Sequence, residues 1–185
     1  LGDVRAIHSF FSFFDDDPTA IVNRREWGGG GVLDIGCYSV SLSRFLFGSE
    51  PTRVIARLEY DPVFNVDTLA SGILEFAGGA STFACSTGIA ESQRVDAYGT
   101  RGRLEIEIPF NPPTDRPCRA WLEVDGVAVE QMFDVCDHYG IQATLFSRAI
   151  RDDAQVPTPI DDAVSNMRAI DALFRSGDSG GWERP

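Results

Sequence analysis

The chain contains no lysine; all sixteen of its basic residues are arginine. That removes a Schiff-base lysine, a phosphate-loop lysine and a lysine general base from anything this chain could do alone. Histidine and cysteine are scarce as well. His8 and His138 stand alone, and Cys37, Cys85, Cys118 and Cys136 are irregularly spaced without a C-x-x-C pair. No zinc-type ligand set can be assembled from that pattern, and free thiols in a reducing compartment are the expectation. Long apolar runs are missing too. None reaches the ~20 residues that span a bilayer, and the start, L-G-D-V-R-A-I-H, has neither the basic leader nor the cleavage site of a signal peptide. Positive charge is in deficit: the net charge is −12, which disfavours nucleic acid or an anionic membrane as partner and favours a cytoplasmic protein.

What is present is an ordinary globular composition, 43% hydrophobic and 24% charged over 185 residues. It is enough for one well-packed domain over 1–185. Residues 4–14 mix β-branched and aromatic side chains and read as a strand, stopped by D-D-D-P. From 52 to 135 apolar residues recur with period two between short turns, at Gly78-Gly79, Asp125-Gly126 and Tyr98–Arg103. Links that short leave no room for crossover helices, so the sheet should be mainly antiparallel. Two helices follow, over 138–152 and about 161–176. Thr158 and Asp161 suggest a capping box, Gly177 a C-terminal stop, and the tail a loosely held end. The expected fold class is α+β: an open, mainly antiparallel sheet with three helices on one face. The other face of such a sheet is then available to a second subunit.

Chemistry concentrates in W-G-G-G-G-V-L-D-I-G-C-Y, residues 27–38. The glycines, Gly30 and Gly31 among them, free the backbone for unusual angles and close approach of a ligand. A helix beginning there puts Asp34 and Tyr38 one turn apart on one face. A dinucleotide-binding reading fails, because R-R-E-W, not a buried strand, precedes the glycines and no βαβ unit follows. The residue types alone favour a glycine turn feeding a buried helix whose Asp and Tyr are only hydrogen-bonded.

The ordered series L-G-D-V-R, G-G-G-x-L-x-D-x-G-x-Y, L-x-G-x-x-P, V-D, G-T-R-G-R-L-E-I and D-A-V-x-N-M-R-x-I-D-A-L-F-R-S resembles the C-terminal domain of the Gfo/Idh/MocA oxidoreductases across the whole chain. The resemblance implies an open-sheet domain that follows a nucleotide-binding domain, binds a sugar, polyol or diol, and makes the homo-oligomer interface with its sheet. It also implies NAD or NADP as cofactor, bound mainly by an N-terminal domain absent from this chain, whose E-K-P motif carries a catalytic lysine. The family's D-x-x-x-H/Y pair falls on Asp34 and Tyr38, with Tyr38 as acid–base group and Asp34 orienting the substrate. Arg25, or Arg24 beside it, would reach substrate or cofactor, Trp27 would wall the site, and Tyr139 would border the cleft from the helix that His138 and Gln142 also begin. The other reading is a stand-alone, non-enzymatic sugar-binding or dimerising module. A strand starting directly at Leu1 leads us to expect that a Rossmann domain precedes it.

Overall fold

The computed structural model describes residues 1–185. Eight strands form a single open sheet, interrupted and followed by three helices: β1 (Val4–Phe14), α1 (Cys37–Phe47), β2 (Arg53–Tyr60), β3 (Asp67–Phe76), β4 (Gly79–Ser86), β5 (Gly88–Gly99), β6 (Gly102–Ile106), β7 (Cys118–Val124), β8 (Val127–Phe133), α2 (His138–Arg151) and α3 (Ile160–Ser179). The spatial order is β2-β3-β4-β1-β5-β6-β7-β8. Every pairing is antiparallel except β1 with β4, so the α+β, mainly antiparallel expectation holds for a sheet that is strictly mixed. The β7–β8 turn at Asp125-Gly126 takes positive φ at both residues, as a tight hairpin of right-handed twist requires. The β3–β4 turn is slipped by one residue from its expected place, to Ala77-Gly78, and Gly79 opens β4.

One face of the sheet is covered. Val54, Leu74, Phe83, Cys85 and Phe11 pack beneath Val32 and Ile35 just before α1, Val40 within it, and Ile170 and Leu173 of α3. Period two in the strands and the apolar stripe of α3 meet there, and their burial drives the fold. The opposite face carries rows such as Ile55–Ile73–Thr82–His8–Asp96–Glu105–Trp121, interleaved with the ion pairs Arg53–Glu75, Arg94–Glu105 and Arg103–Glu123.

Three local expectations change. α2 starts near Tyr38, but only its Ala149 is buried, so it stands off the sheet that α1 and α3 cover. α3 begins at Pro159 without a side-chain cap, because Thr158 and Asp161 make no capping bonds; it passes through Gly177, where Leu58 packs against the glycine, and stops at left-handed Gly180. The tail is docked: Glu183 pairs with Val54 through two backbone hydrogen bonds of 2.8 and 2.9 Å, and Trp182 lies under the Arg53 guanidinium at 4.4 Å. No helix is long and apolar enough to cross a membrane, and no cluster of three or more His, Cys, Asp or Glu could hold a metal ion.

Candidate active site

Two 3-10 turns, Ile21–Asn23 and Arg25–Trp27, lead to the glycines, and the helix then opens with a π turn over Val32–Gly36. Such single π turns inside helices recur at functional sites. Here the turn carries Asp34, and Tyr38 follows in the first turn of α1.

The glycine segment turns its backbone inward. The N–H groups of Gly28, Gly29 and Gly30 donate to the carbonyls of Arg25, Arg24 and Val22, and that of Val32 donates to Oδ2 of Asp67 at 2.6 Å. The Gly31 N–H also favours the charged form of the Asp67 carboxylate. The amides of Gly28, Gly29, Gly30 and Val32 are thus taken within the chain, so this loop offers no row of amides to the pyrophosphate of a dinucleotide. Gly30 and Gly31 are buried against Asp67, which supplies the reason for glycine at both positions.

Tyr38 is about one-third exposed, 38%, at the rim of a cavity of about 660 Å³ between α1, the Pro109-Phe110 segment and the Pro157–Pro159 approach to α3. Its ring sits among aromatics, 5.5 Å from Phe110 and 5.9 Å from Phe11 between centroids, while Phe11 and Phe110 stack at 5.3 Å. Partial burial raises the phenol above its ordinary range, and Tyr139, Cys37 and Asp34 push it further in the same direction. Asp34 lies one turn earlier, where partial burial and the Asp15 carboxylate raise its own pKa. Asp34 and Tyr139 bear on the Tyr38 phenol through space, but neither lines its cavity, and Tyr139 lines a second one of about 500 Å³ with His138 and Gln142. Phe110 does line the Tyr38 cavity, and neither Phe110 nor Asp15 is marked by a local sequence signal.

The remaining candidates are placed elsewhere. Arg24 stacks over Trp27 at 4.5 Å, donates to the Pro18 carbonyl and pairs with Glu26 at 3.6 Å, so the two side chains brace one exposed loop. Arg25 lines a different cleft of about 570 Å³, shared with Tyr60, Asp67 and Asp178. Asp67 itself, at the head of β3, escaped residue-type reasoning because a V-D dipeptide at a strand start has no signature of its own. Adjacent glycines opposite it were the indirect sign.

The sequence model of the GFO/IDH/MocA C-terminal domain matches residues 1–105. The chain belongs to this family. It is 36% identical to an uncharacterised oxidoreductase of Rhizobium meliloti over 99% of the chain and 57% of the relative. It is 34% identical to D-xylose 1-dehydrogenase (NADP(+)) 2 of Haloferax volcanii over 97% of the chain and 56% of that protein. Its fold superposes on the aldose-aldose oxidoreductase of Caulobacter crescentus, solved with glycerol, with a TM-score of 0.86 at 23% identity, covering 100% of this chain and 56% of that one. The family member described here therefore spans a little over half the length of the relatives it matches.

Proposed function

We propose that this chain is the substrate-binding and oligomerisation domain of an NAD- or NADP-dependent oxidoreductase that acts on a CH–OH group of a sugar, polyol or diol. The observation that carries the reading is the partly exposed phenol of Tyr38, set at a cavity rim one turn after Asp34, next to a glycine loop whose Gly28, Gly29 and Gly30 amides are bonded within the chain. The chain is thereby suited to hold the reacting alcohol and unsuited to hold the dinucleotide, whose phosphates need another domain.

When bound, the nicotinamide supplies or accepts the hydride at the carbon. Tyr38 handles the proton at the oxygen. Every influence this chain exerts on the phenol keeps it protonated, so by itself it is poised to donate a proton to the oxygen of a carbonyl being reduced. To take the proton in the oxidative direction it requires a nearby cation, and this chain, which has no lysine, places none against the phenol. Asp34 accepts a hydrogen bond from a neighbouring hydroxyl and fixes the substrate's orientation. Phe110 and Phe11 wall the phenol from water. A protein of xylose dehydrogenase type among the relatives supports sugars over other alcohols.

Self-association uses the uncovered sheet face. Ile73, Tyr98 and Met132 are exposed to solvent on it, beside ion pairs that a second copy could continue.

The test is Tyr38→Phe in the full-length protein that carries this chain. We expect kcat to fall by about 10²–10⁴, the scale of losing a positioned acid–base group. An unchanged kcat would remove Tyr38 from the chemistry, and the reading with it.

A further inference from the structure

Asp67 is 2% exposed and lies 35 residues along the chain from the amide it binds. Its Oδ2 accepts the Val32 N–H at 2.6 Å, and the Gly31 N–H and its own N–H also favour the charged form. These amides are the unsatisfied donors that open a helix, so the carboxylate meets both the partial charge of the helix start and charge-assisted hydrogen bonds. The backbone is shaped to admit it. Gly30 adopts φ +116°, and a Cβ there would overlap Oδ1 of Asp67. The other end of the π turn is held as well: a Cβ at Gly36 would stand 3.0 Å from the buried Cys85 thiol. Asp34 lies between these two clamps, and Tyr38 follows directly after them.

We propose that Asp67 is a positioning residue for the reaction, its carboxylate holding the start of the π turn so that Asp34 and Tyr38 face the reacting carbon and oxygen together. This rests on the assignment of Tyr38 and Asp34 as the reacting and orienting groups. It adds a residue that touches neither substrate nor cofactor and acts only through the backbone of residues 31–38.

A second observation separates this role from plain stabilisation. Burial dominates the Asp67 carboxyl and lifts its pKa to about 6, despite the backbone N–H groups of Val32, Asp67 and Gly31 that oppose the rise. A charge kept in a dry position near neutrality is held at a cost to stability, and such groups concentrate at functional sites. The groups around it are Tyr60 on β2, Cys85 on β4, Arg25 of the loop and Asp178 on α3. Of these Arg25 alone is cationic, and Arg25 makes no ion pair with Asp67. When pH falls through about 6, Asp67 gains a proton and becomes a weaker acceptor for the Val32 N–H, so the π turn is held less firmly even though the fold as a whole binds that proton favourably.

The experiment compares wild type, Asp67→Asn and Tyr38→Phe in the full-length protein, with kcat and KM followed from pH 5 to 8 and melting temperature measured over the same range. Asp67→Asn keeps the shape and one acceptor. We expect kcat to fall about 10–100-fold, the usual effect of a residue that orients a reacting group from behind, with KM changed less than about threefold. The acid limb near pH 6 should vanish from the variant's kcat profile, while its melting temperature at pH 7 stays level or rises. Wild-type kcat and an unaltered acid limb in Asp67→Asn, with Tyr38→Phe impaired, would overturn this inference and leave the assignment of Tyr38 standing. An inert Tyr38→Phe would instead bring down the assignment beneath it. Should Asp67→Asn not fold, the Asp67 carboxyl carbon can be titrated by NMR in the wild type. Its midpoint must coincide with that of kcat, and a mismatch overturns the proposal.

Discussion

Oδ1 of Asp67 occupies the space that a side chain at position 30 would need. Gly30 therefore answers to two constraints at once, a φ of +116° and a carboxylate in contact. Gly28, two residues earlier, answers to one: its φ is +78°, with nothing within 4 Å of an added Cβ. Gly28→Ala should cost about 1–2 kcal/mol, the price of a left-handed alanine. Gly30→Ala should cost more, on the order of 3 kcal/mol or above, because it also displaces a buried acceptor from its donors. Chemical denaturation of both variants checks this, and equal losses would show that the contact with Asp67 contributes nothing.

Stability should depend on pH through the same carboxylate. Its pKa rises from 3.8 to about 6 on folding. The folded state thus binds the proton more tightly than the unfolded chain, so the contribution is fully present below about pH 4 and is lost as pH climbs through 6. The shift corresponds to on the order of 2–3 kcal/mol. Asp67→Asn should flatten this part of the curve. Melting temperatures of wild type and variant between pH 4 and 7 give the comparison, and parallel curves would refute it.

Arg44 of α1 is 6% exposed and holds Glu50 through two bonds of 2.7 and 2.8 Å, as well as Asp162 of α3 at 2.9 Å. Both carboxylates keep substantial solvent contact, 53% and 38% of their side-chain surface. Arg44→Leu frees them to hydrate, so the loss should be about 1–3 kcal/mol, below the 3–5 kcal/mol of stranding a buried charge. Removing Glu50 and Asp162 together leaves the guanidinium without a counter-charge, with only the Asn166 Oδ1 at 3.4 Å to accept from it, and should cost more than Arg44→Leu. Urea midpoints of the two variants decide the order.

Removing residues 182–185 should expose the free edge of β2, which Glu183 now covers. Edges left open in this way recruit other strands. We expect a loss of about 1–2 kcal/mol from two backbone bonds and the Arg53–Trp182 contact, with faster aggregation by light scattering. Unchanged scattering would mean that the tail does not guard the edge.

Much of this architecture was legible in the sequence, for reasons that can be named. Strand β1, the Asp125-Gly126 hairpin, the Thr100-Arg101 turn and helix α3 are local patterns, written in neighbouring residues, although of the stripe Val164–Met167–Ile170–Phe174 only Ile170 is fully buried while Val164 and Met167 stay exposed. The D-x-x-x-Y spacing likewise brought Asp34 and Tyr38 into view, though an α-helix was expected where a π turn begins. The parallel β1–β4 pairing, the bond from Val32 to Asp67 and the docking of Glu183 on Val54 join residues tens of positions apart, and no local pattern encodes them. The end of α3 was misjudged for a different reason: Gly177 and Gly180 are both plausible stops, and packing of Leu58 against Gly177 selects the later one.

β4 and β5 are consecutive strands joined by Thr87 alone, yet they are not neighbours, because β1 lies between them. Residues 53–86 can zip into a three-stranded ribbon and residues 88–133 into a four-stranded one, each by local hairpins. Neither ribbon meets the other except across residues 4–14. The earliest strand in the chain is thus the last that can find both its partners, and closing it in sets a long-range step that should limit the folding rate.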